Sequence, residues 1–563
     1  MIIKKGNPIP LGCTVNGNEI NFSIAVDGRK DGELVLYKEG SQSPCHYIKL
    51  NRDIVSDQIQ YCAIRTDEGE TFEYNYRIGE KIITDPYGRN FTGRDNWGVE
   101  KDICKHEVRT KIVTNDFDWN GDVPLHYNMN EIVAYSIHVR GLTCHHSSQV
   151  RHKGTFKGIA EKIPYFTKLG INQIQCMPVY DFEENLKYLN FWGYGEANCF
   201  APKSSYADGD GVTEFKELVR SLHEAGIEII IEMPFNNGVS QGFMLECLRF
   251  WSREYHVDGF IINPSLCNLE MLQKDSQLSG VKILFKQDDF QNTMRRFLKG
   301  DEGMIPQVIW WMKNQPENDD IFNYITSPNG FTLNDLVSYD SKHNEDNGEN
   351  NTDGPEYNYS WNCGVEGATR KKSVTDLRKK QIRNAFFLLL LSQGTPCILG
   401  GDEFYNTQKG NNNVYCQDNA ISWLDWKKTP AAEELFSFVR DLIKFRKGHP
   451  VLYSLKDRQN NIHKSGIPVV SYHGEEAWKI QDQVASRQLG VYYHDEDQDE
   501  GDLYLVFNMH WISHEYALPK LPKGRKWYLA GSTDDGMLEE QESLKEMKKI
   551  EINARTISVF IGK

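Results

Sequence analysis

From Glu131 onward the chain repeats one unit, a short apolar run of strand length followed by a longer stretch with apolar residues at helical spacing. The runs are IVAYSIHV (132–139), INQIQCMPV (171–179), GIEIIIEMPF (226–235), DGFIIN (258–263), GVKILFK (280–286), IFNYIT (321–326) and PCILGG (396–401), with QVIWW (307–311) a weaker eighth. Continuous apolar runs of this length mark strands covered on both faces. A series of such units admits few architectures, because strand–helix–strand crossovers share one hand and the sheet either stays open or closes. Seven or eight in a row predict a closed (β/α)8 TIM barrel over residues 125–455. One intervening helix carries Phe215, Leu218, Val219 and Leu222 on one face, with Thr213 at its predicted N-cap and Gly226 closing it.

The flanks have a different texture. Residues 1–105 alternate short strands (NEINFSIAV, GELVLYK, FEYNYRI) with Gly, Asp and Asn turns, which predicts an N-terminal antiparallel β-sandwich. After a last helix over Ala431–Phe445, residues 465–563 return to strands and turns (GDLYLVFNMH, KWYLAG, TISVFIG), a C-terminal β-sandwich. The Asn-, Asp- and Gly-rich stretch Asp340–Gly367 is long enough to be a functional or closing loop above the barrel.

The net charge of -15 is spread without a basic stripe, which argues against a nucleic-acid partner. The longest apolar run, Ala385–Leu391, is too short for a membrane span, so no membrane is expected. The start MIIKKGNPIPLG lacks the apolar core of a secretory signal, and the twelve cysteines form no C-x-x-C pair. Cysteines such as Cys176 and Cys397 sit among apolar neighbours, so reduced thiols in a cytoplasmic protein are expected.

Several stretches resemble the α-amylase family of glycoside hydrolases, in its glycogen-debranching and isoamylase-type branch. They include YSIHVRGLT (135–143), NFWGYGEANCFAPKSSYA (190–207), EYHVDGF (254–260), GFTLNDLVSYDSKHNEDNGENNTDG (330–354), SQGTPCILGGDEF (392–404) and GNNNVYCQDNAISWLDW (410–426), in the family's order. PLGCTVNGNEINFSIAV is similar to the α-glucan-associated carbohydrate-binding sandwich that precedes the barrel in this branch. The resemblance implies an α-glucan substrate class, no cofactor, and a retaining mechanism with two carboxyl groups about 5–5.5 Å apart at the barrel mouth.

The residues at the strand ends depart from that pattern. Where the family's fourth strand reads G-F-R-F-D, this chain has Gly259, Phe260, Ile261, Ile262 and Asn263, so the nucleophile's place holds an amide. The family's glutamate acid after the fifth strand is replaced by Lys286, and its third carboxylate by Asn329 in Pro328-Asn329-Gly330. On the third strand the family's Asp-x-x-x-Asn-His becomes Glu232 with Asn236 and Asn237. An amide keeps shape and hydrogen bonding but cannot act as a nucleophilic carboxylate. Only 22 residues separate Asn236 from Gly259 and 22 separate Asn263 from Lys286, where the branch carries longer insertions, so the cleft is expected to be shallow or open.

Several side chains carry two readings. Asp288 and Asp289 read as caps of the helix DDFQNTMRRFLKG rather than as a relocated acid. Glu232 reads as the partner of Lys286 in an ion pair. Tyr194, in Trp192-Gly193-Tyr194, matches the tyrosine that stacks on sugar in the family, with core packing the equal alternative. His138 reads as a core histidine, His343 as part of a hydrogen-bonded loop with no metal, and Trp423 and Trp426 as anchors of the C-terminal domain.

The expected substrate-binding set is therefore Tyr194, Trp192, Asn237, Asn263, Asn329 and Glu232, with no catalytic residue. The leading functional reading is a catalytically degenerate family member that binds α-glucan or maltooligosaccharide weakly, or regulates glycogen or starch metabolism beside an active debranching-enzyme paralogue. An active hydrolase or glucanotransferase with rearranged groups, and an assembly subunit without a sugar site, are the alternatives.

Overall fold

The computed structural model describes the whole chain except residues 27–29, 68–69, 115–116, 315–319, 456–461, 464–465, 481–482, 495–500, 537, 539–542 and 545–547. Parallel strands β1 (Ala134–Ile137), β2 (Gln173–Cys176), β3 (Glu228–Glu232), β4 (Gly259–Ile261) and β5 (Lys282–Leu284) pair in chain order, and β6 (Cys397–Leu399) pairs on the other edge of β1. Residues 321–323 close the ring: Phe285 bridges Ile321, and Asn323 bridges Pro396, both in parallel. The amide of Asn323 donates to the Thr395 carbonyl at 2.7 Å and that of Cys397 donates to the Asn323 carbonyl at 2.7 Å.

Among the described residues the ring therefore has seven strand positions, and the expected (β/α)8 count is corrected. QVIWW, read as a weak strand, lies inside helix Ile305–Lys313. Its buried residues Ile305, Val308, Trp311 and Met312 follow the helical period, and Pro306 stands in the first turn, where its missing N–H costs nothing.

Two layers of core follow from the strand alternation. Ala134, Ile230, Ile261, Leu284, Phe322, Tyr324 and Cys397 fill the barrel interior, while Tyr135, Ile174, Ile229, Ile231, Phe260 and Ile283 pack outward against the helices. At about 1.5–3 kcal/mol for each buried large apolar side chain, this double layer dominates the stability. Helix α1 (Gly211–Glu224) is capped by Asp210, whose carboxylate accepts the Thr213 amide at 2.9 Å. Thr213 is thus inside the helix and not its cap, because Asp210, three residues earlier, accepts both its amide and its hydroxyl.

Residues 2–111 form two antiparallel sheets, with Phe22, Cys62 and Ile64 of one facing Leu34, Leu36, Tyr74 and Tyr76 of the other. At the far end, a five-stranded sheet turns Leu489, Val491, Leu505, Phe507 and Val559 onto the barrel's core. Its opposite face, with Tyr492, Tyr504, Val506 and Phe560, packs on the two-stranded ribbon His514–Ala517 and Lys549–Ile552. All twelve cysteines are free thiols. No helix among the described residues is long and apolar enough to cross a membrane.

Candidate functional site

At the C-terminal end of the strands Glu232 and Lys286 meet. The register sets Glu232 beside Ile261 and Ile261 beside Leu284, so Lys286 stands two residues further along the face of β5 that Leu284 occupies. Lys286 donates to the Glu232 carboxylate at 2.6 Å, across side chains that are 33% and 10% exposed. The Tyr194 phenol faces the same carboxylate, and burial first, then that negative charge, hold its pKa well above the ordinary tyrosine range.

Beside this pair opens a cavity of about 420 Å³, lined among others by Tyr194, Lys286, Asp288, Arg295, Tyr324 and Asn329. Helix α2 (Asp289–Lys299) brings Gln291, Asn292 and Arg295 to it, and its far end is fixed by C-terminal residues: Arg487 donates to the Gly300 carbonyl at 2.7 Å and Arg555 to the Lys299 carbonyl at 2.7 Å. Arg295 is 4% exposed. Its Nε donates to the Ile325 carbonyl at 2.7 Å and its Nη1 to the Asn358 carbonyl at 3.1 Å. Burial pushes its pKa down to about 10, so it is still cationic at neutral pH.

The opposite wall is the long loop, which supplies Pro355, Tyr357, Asn358 and Tyr359. Amides lock it in place. Asn344 Nδ2 donates to Asn412 Oδ1 at 2.8 Å while the Asn412 amide returns a bond to Asn344 Oδ1 at 2.9 Å, and Asn412 Nδ2 reaches Asn358 Oδ1 at 3.1 Å. Gly354, at φ +74°, passes so close that a Cβ there would strike Asn412 Oδ1 and lie 2.8 Å from Asn344 Nδ2. His343 completes the expected loop-internal pattern, with Nε2 3.3 Å from Glu366.

Comparison with known proteins places this architecture. The family model for the alpha amylase catalytic domain matches residues 143–246. The glycogen operon protein GlgX homolog of Mycobacterium tuberculosis is 30% identical over an alignment that covers 79% of this chain and 79% of that protein. The chain belongs to the α-amylase family. Within it, the relatives are of the isoamylase and glycogen-debranching branch: Isoamylase SU1, chloroplastic, of Zea mays is 29% identical, covering 93% of this chain and 83% of that protein. That alignment runs over 671 residues against a chain of 563, so the relative carries substantial insertions. The pullulanase type I structure from Bacillus subtilis in complex with maltose shares the fold with a TM-score of 0.76 at 18% identity, covering 98% of this chain and 85% of that one.

Set against the α-amylase family's motif positions, the residues divide. Lys286, Asn329 and Tyr194 line one cavity, and Glu232 joins them through Lys286. Asn263 and Asn237 are exposed and are not part of that lining; the Asn263 side chain accepts the Ser265 amide at 3.0 Å. Trp192 is 7% exposed, packs with Met177, Phe191 and Val414, and lines a separate small pocket with His138 and Pro328.

His138 is the expected core histidine. Its Nδ1 accepts the Gly141 amide at 3.0 Å and its Nε2 donates to the Phe191 carbonyl at 2.8 Å, and burial holds its pKa down at about 3. The cap reading of Asp288 is corrected: its side chain makes no cap bond and instead accepts the Tyr324 hydroxyl at 2.7 Å. Trp423 and Trp426 are corrected too. Trp423 donates to Asp418 at 2.8 Å and Trp426 to the Leu142 carbonyl at 2.6 Å, so both pack within the barrel rather than anchoring the C-terminal sheets. A carboxylate and a carbonyl of the barrel end stand within reach of the two indole N–H groups and draw both rings inward.

Sequence reading passed over Arg295, Tyr324, Tyr357 and Tyr359. Arg295 lies in helix α2 among residues with no family signature, and only the register of that helix turns it inward. The available signal was an arginine three residues before Leu298 and four after Gln291, at helical spacing from buried positions of α2.

Proposed function

We propose that this chain is a non-hydrolytic member of the debranching branch, binding α-glucan at the barrel mouth or acting in glycogen or starch metabolism beside an active debranching paralogue. One observation carries the reading. Where the family holds its three carboxylates, this chain has Asn263, Lys286 and Asn329, and Glu232 is bonded to the Lys286 ammonium. A retaining mechanism needs one carboxylate to attack and a second to protonate. Here an acid is tied to a cation and the nucleophile's place cannot ionise.

The relatives' names and structures, with maltose bound to the Bacillus subtilis pullulanase, support a glucan as ligand class. Tyr194 supplies a stacking face, and Asn329 neutral hydrogen bonds, so affinity near millimolar is expected from these groups alone. The N-terminal pair of sheets takes the position of a carbohydrate-binding module in this reading.

The test is reducing-end release from glycogen, amylopectin, pullulan and maltooligosaccharides by the purified chain. No release above buffer is expected. Asp288 lies in the same cavity as Asn329, which is what favours a rearranged enzyme as the second reading. Release that disappears in Asp288→Asn or Glu232→Gln establishes that second reading and ends the first.

A further inference from the structure

The cavity at the barrel mouth contains one polar group that the fold leaves unanswered. Arg295 is 4% exposed, two of its nitrogens are bonded to backbone carbonyls, and Nη2 is buried with no hydrogen-bond partner. A buried guanidinium N–H without an acceptor is costly, and native structures retain such groups where an acceptor arrives with a ligand. Nη2 lies 3.7 Å from the position a Cβ would take on Gly330, which lines the cavity beside Asn329. Gly330 and Arg295 both line the cavity, and with no side chain at Gly330 only a small shift of the wall separates Nη2 from a bound group.

A second cation faces the same space. Lys286 lines the cavity and bonds Glu232 at 2.6 Å, leaving further ammonium protons for an incoming group. Glu232 is 8% exposed and stands behind Lys286, and Asp288 is held by the Tyr324 hydroxyl. Asn292, Gln291 and Asn329 add neutral donors to the lining, and the volume of about 420 Å³ lies within the range of small-molecule sites, about 300–1,000 Å³.

We infer that the cavity is a site for an anionic glucosyl group, a phosphate monoester on a glucose unit, with Arg295 Nη2 and Lys286 as its two charged donors and Tyr194 as the stacking face for the sugar ring. A guanidinium with an unpartnered N–H in the cavity wall and an ammonium in the same lining suit the several acceptor oxygens of a phosphate better than the hydroxyls of a neutral sugar. No bond is made or broken. The inference rests on the proposed non-hydrolytic reading and names the ligand of that same site, either a phosphorylated glucan chain or a free sugar phosphate.

Titration calorimetry on the full chain decides it, with maltohexaose, maltohexaose carrying one 6-phosphate, glucose 6-phosphate and inorganic phosphate as probes. The phosphorylated chain is expected to bind at least about 10-fold more tightly than the neutral one, with the advantage shrinking as salt is raised. Lys286→Gln is expected to remove most of that advantage, read as the ratio of the two affinities in the variant against the wild type. Glu232→Gln withdraws the competing carboxylate and is expected to tighten the phosphorylated ligand, an outcome a purely structural pair would not produce. Glucose 6-phosphate binding as well as the phosphorylated chain supports the site with free sugar phosphate as its source, and weaker binding supports it with the glucan as the source. Equal affinity for neutral and phosphorylated maltohexaose, or no response to Lys286→Gln, overturns the inference while leaving the non-hydrolytic reading in place. Release of reducing ends from either maltohexaose defeats the non-hydrolytic reading itself.

Discussion

At the N-terminal end of the barrel strands, Glu228 is fully buried and answered on every side: it accepts Lys282 at 2.6 Å, the Tyr127 amide at 2.8 Å and Gln173 at 2.9 Å. Beside it Asp258 accepts the Ile229 amide at 2.8 Å and His223 at 2.9 Å, and the other nitrogen of His223 lies 2.9 Å from Asp122. At the C-terminal end of the same strands, Glu232 has a partly exposed partner in Lys286, and Arg295 keeps an N–H with no acceptor. The same residue types close one end of the barrel and border a cavity at the other. Burial with complete pairing makes a charge structural, whereas partial pairing beside a cavity leaves binding capacity.

The most severe test of this contrast is to remove matching acids from the two ends. Glu228→Ala leaves Lys282, whose side chain is 10% exposed, without its partner and strands the Tyr127 amide and Gln173, and is expected to cost about 3–5 kcal/mol in urea unfolding. Glu232→Ala, whose lysine can turn to water, is expected to cost no more than about 1 kcal/mol. Equal losses would erase the distinction.

A smaller loss is expected in the wall of the open end. Asn412 is fully buried and holds Asn344, Asn358 and the Pro355 carbonyl, at 2.9 Å for the last. Asn412→Ala is expected to cost about 2–3 kcal/mol and to expose the 340–358 loop to limited proteolysis, because it strands buried donors and acceptors. Wild-type resistance in the variant would show that the loop is held by packing alone.

The closed end also has a pH signature. Burial acts to lower the pKa of His223, but the bonds to Asp258 and Asp122 outweigh it and the net shift is upward. A raised folded-state pKa means that the contribution is complete below the unfolded value of about 6.5 and fades as pH rises through the folded value. Unfolding free energy is therefore expected to fall on going from pH 6 to pH 9, and His223→Gln is expected to flatten that slope. A slope unchanged in the variant would assign it to other groups. The mildest change is Tyr194→Phe at the open end, expected to cost about 0.5–1 kcal/mol by removing one phenol from Glu232 while leaving maltohexaose affinity unaltered, as read by calorimetry.

The strand runs, the helices between them, the flanking β regions and the family were legible in the linear order, since each is a local pattern of period two or 3.6 or a contiguous motif. The assignment of Asn263, Lys286 and Asn329 to the family's carboxylate positions rests on the same kind of local signal, intact neighbours such as Gly259-Phe260 and Gly330-Phe331-Thr332, and the absence of activity it implies is part of the proposal above. The ion pair of Glu232 and Lys286 followed from the placement of both residues at the C-terminal ends of strands in one parallel ring, across the intervening β4. The number of strands did not follow: QVIWW is apolar enough for either structure, and only the bridges from Phe285 to Ile321 and from Asn323 to Pro396 show that the ring closes without it. The open end was equally out of reach. Arg295, Asp288 and Tyr324 come together from a helix and a strand end, and the Asn412 lock joins segments 68 residues apart, so their chemistry depends on distances that no local pattern encodes.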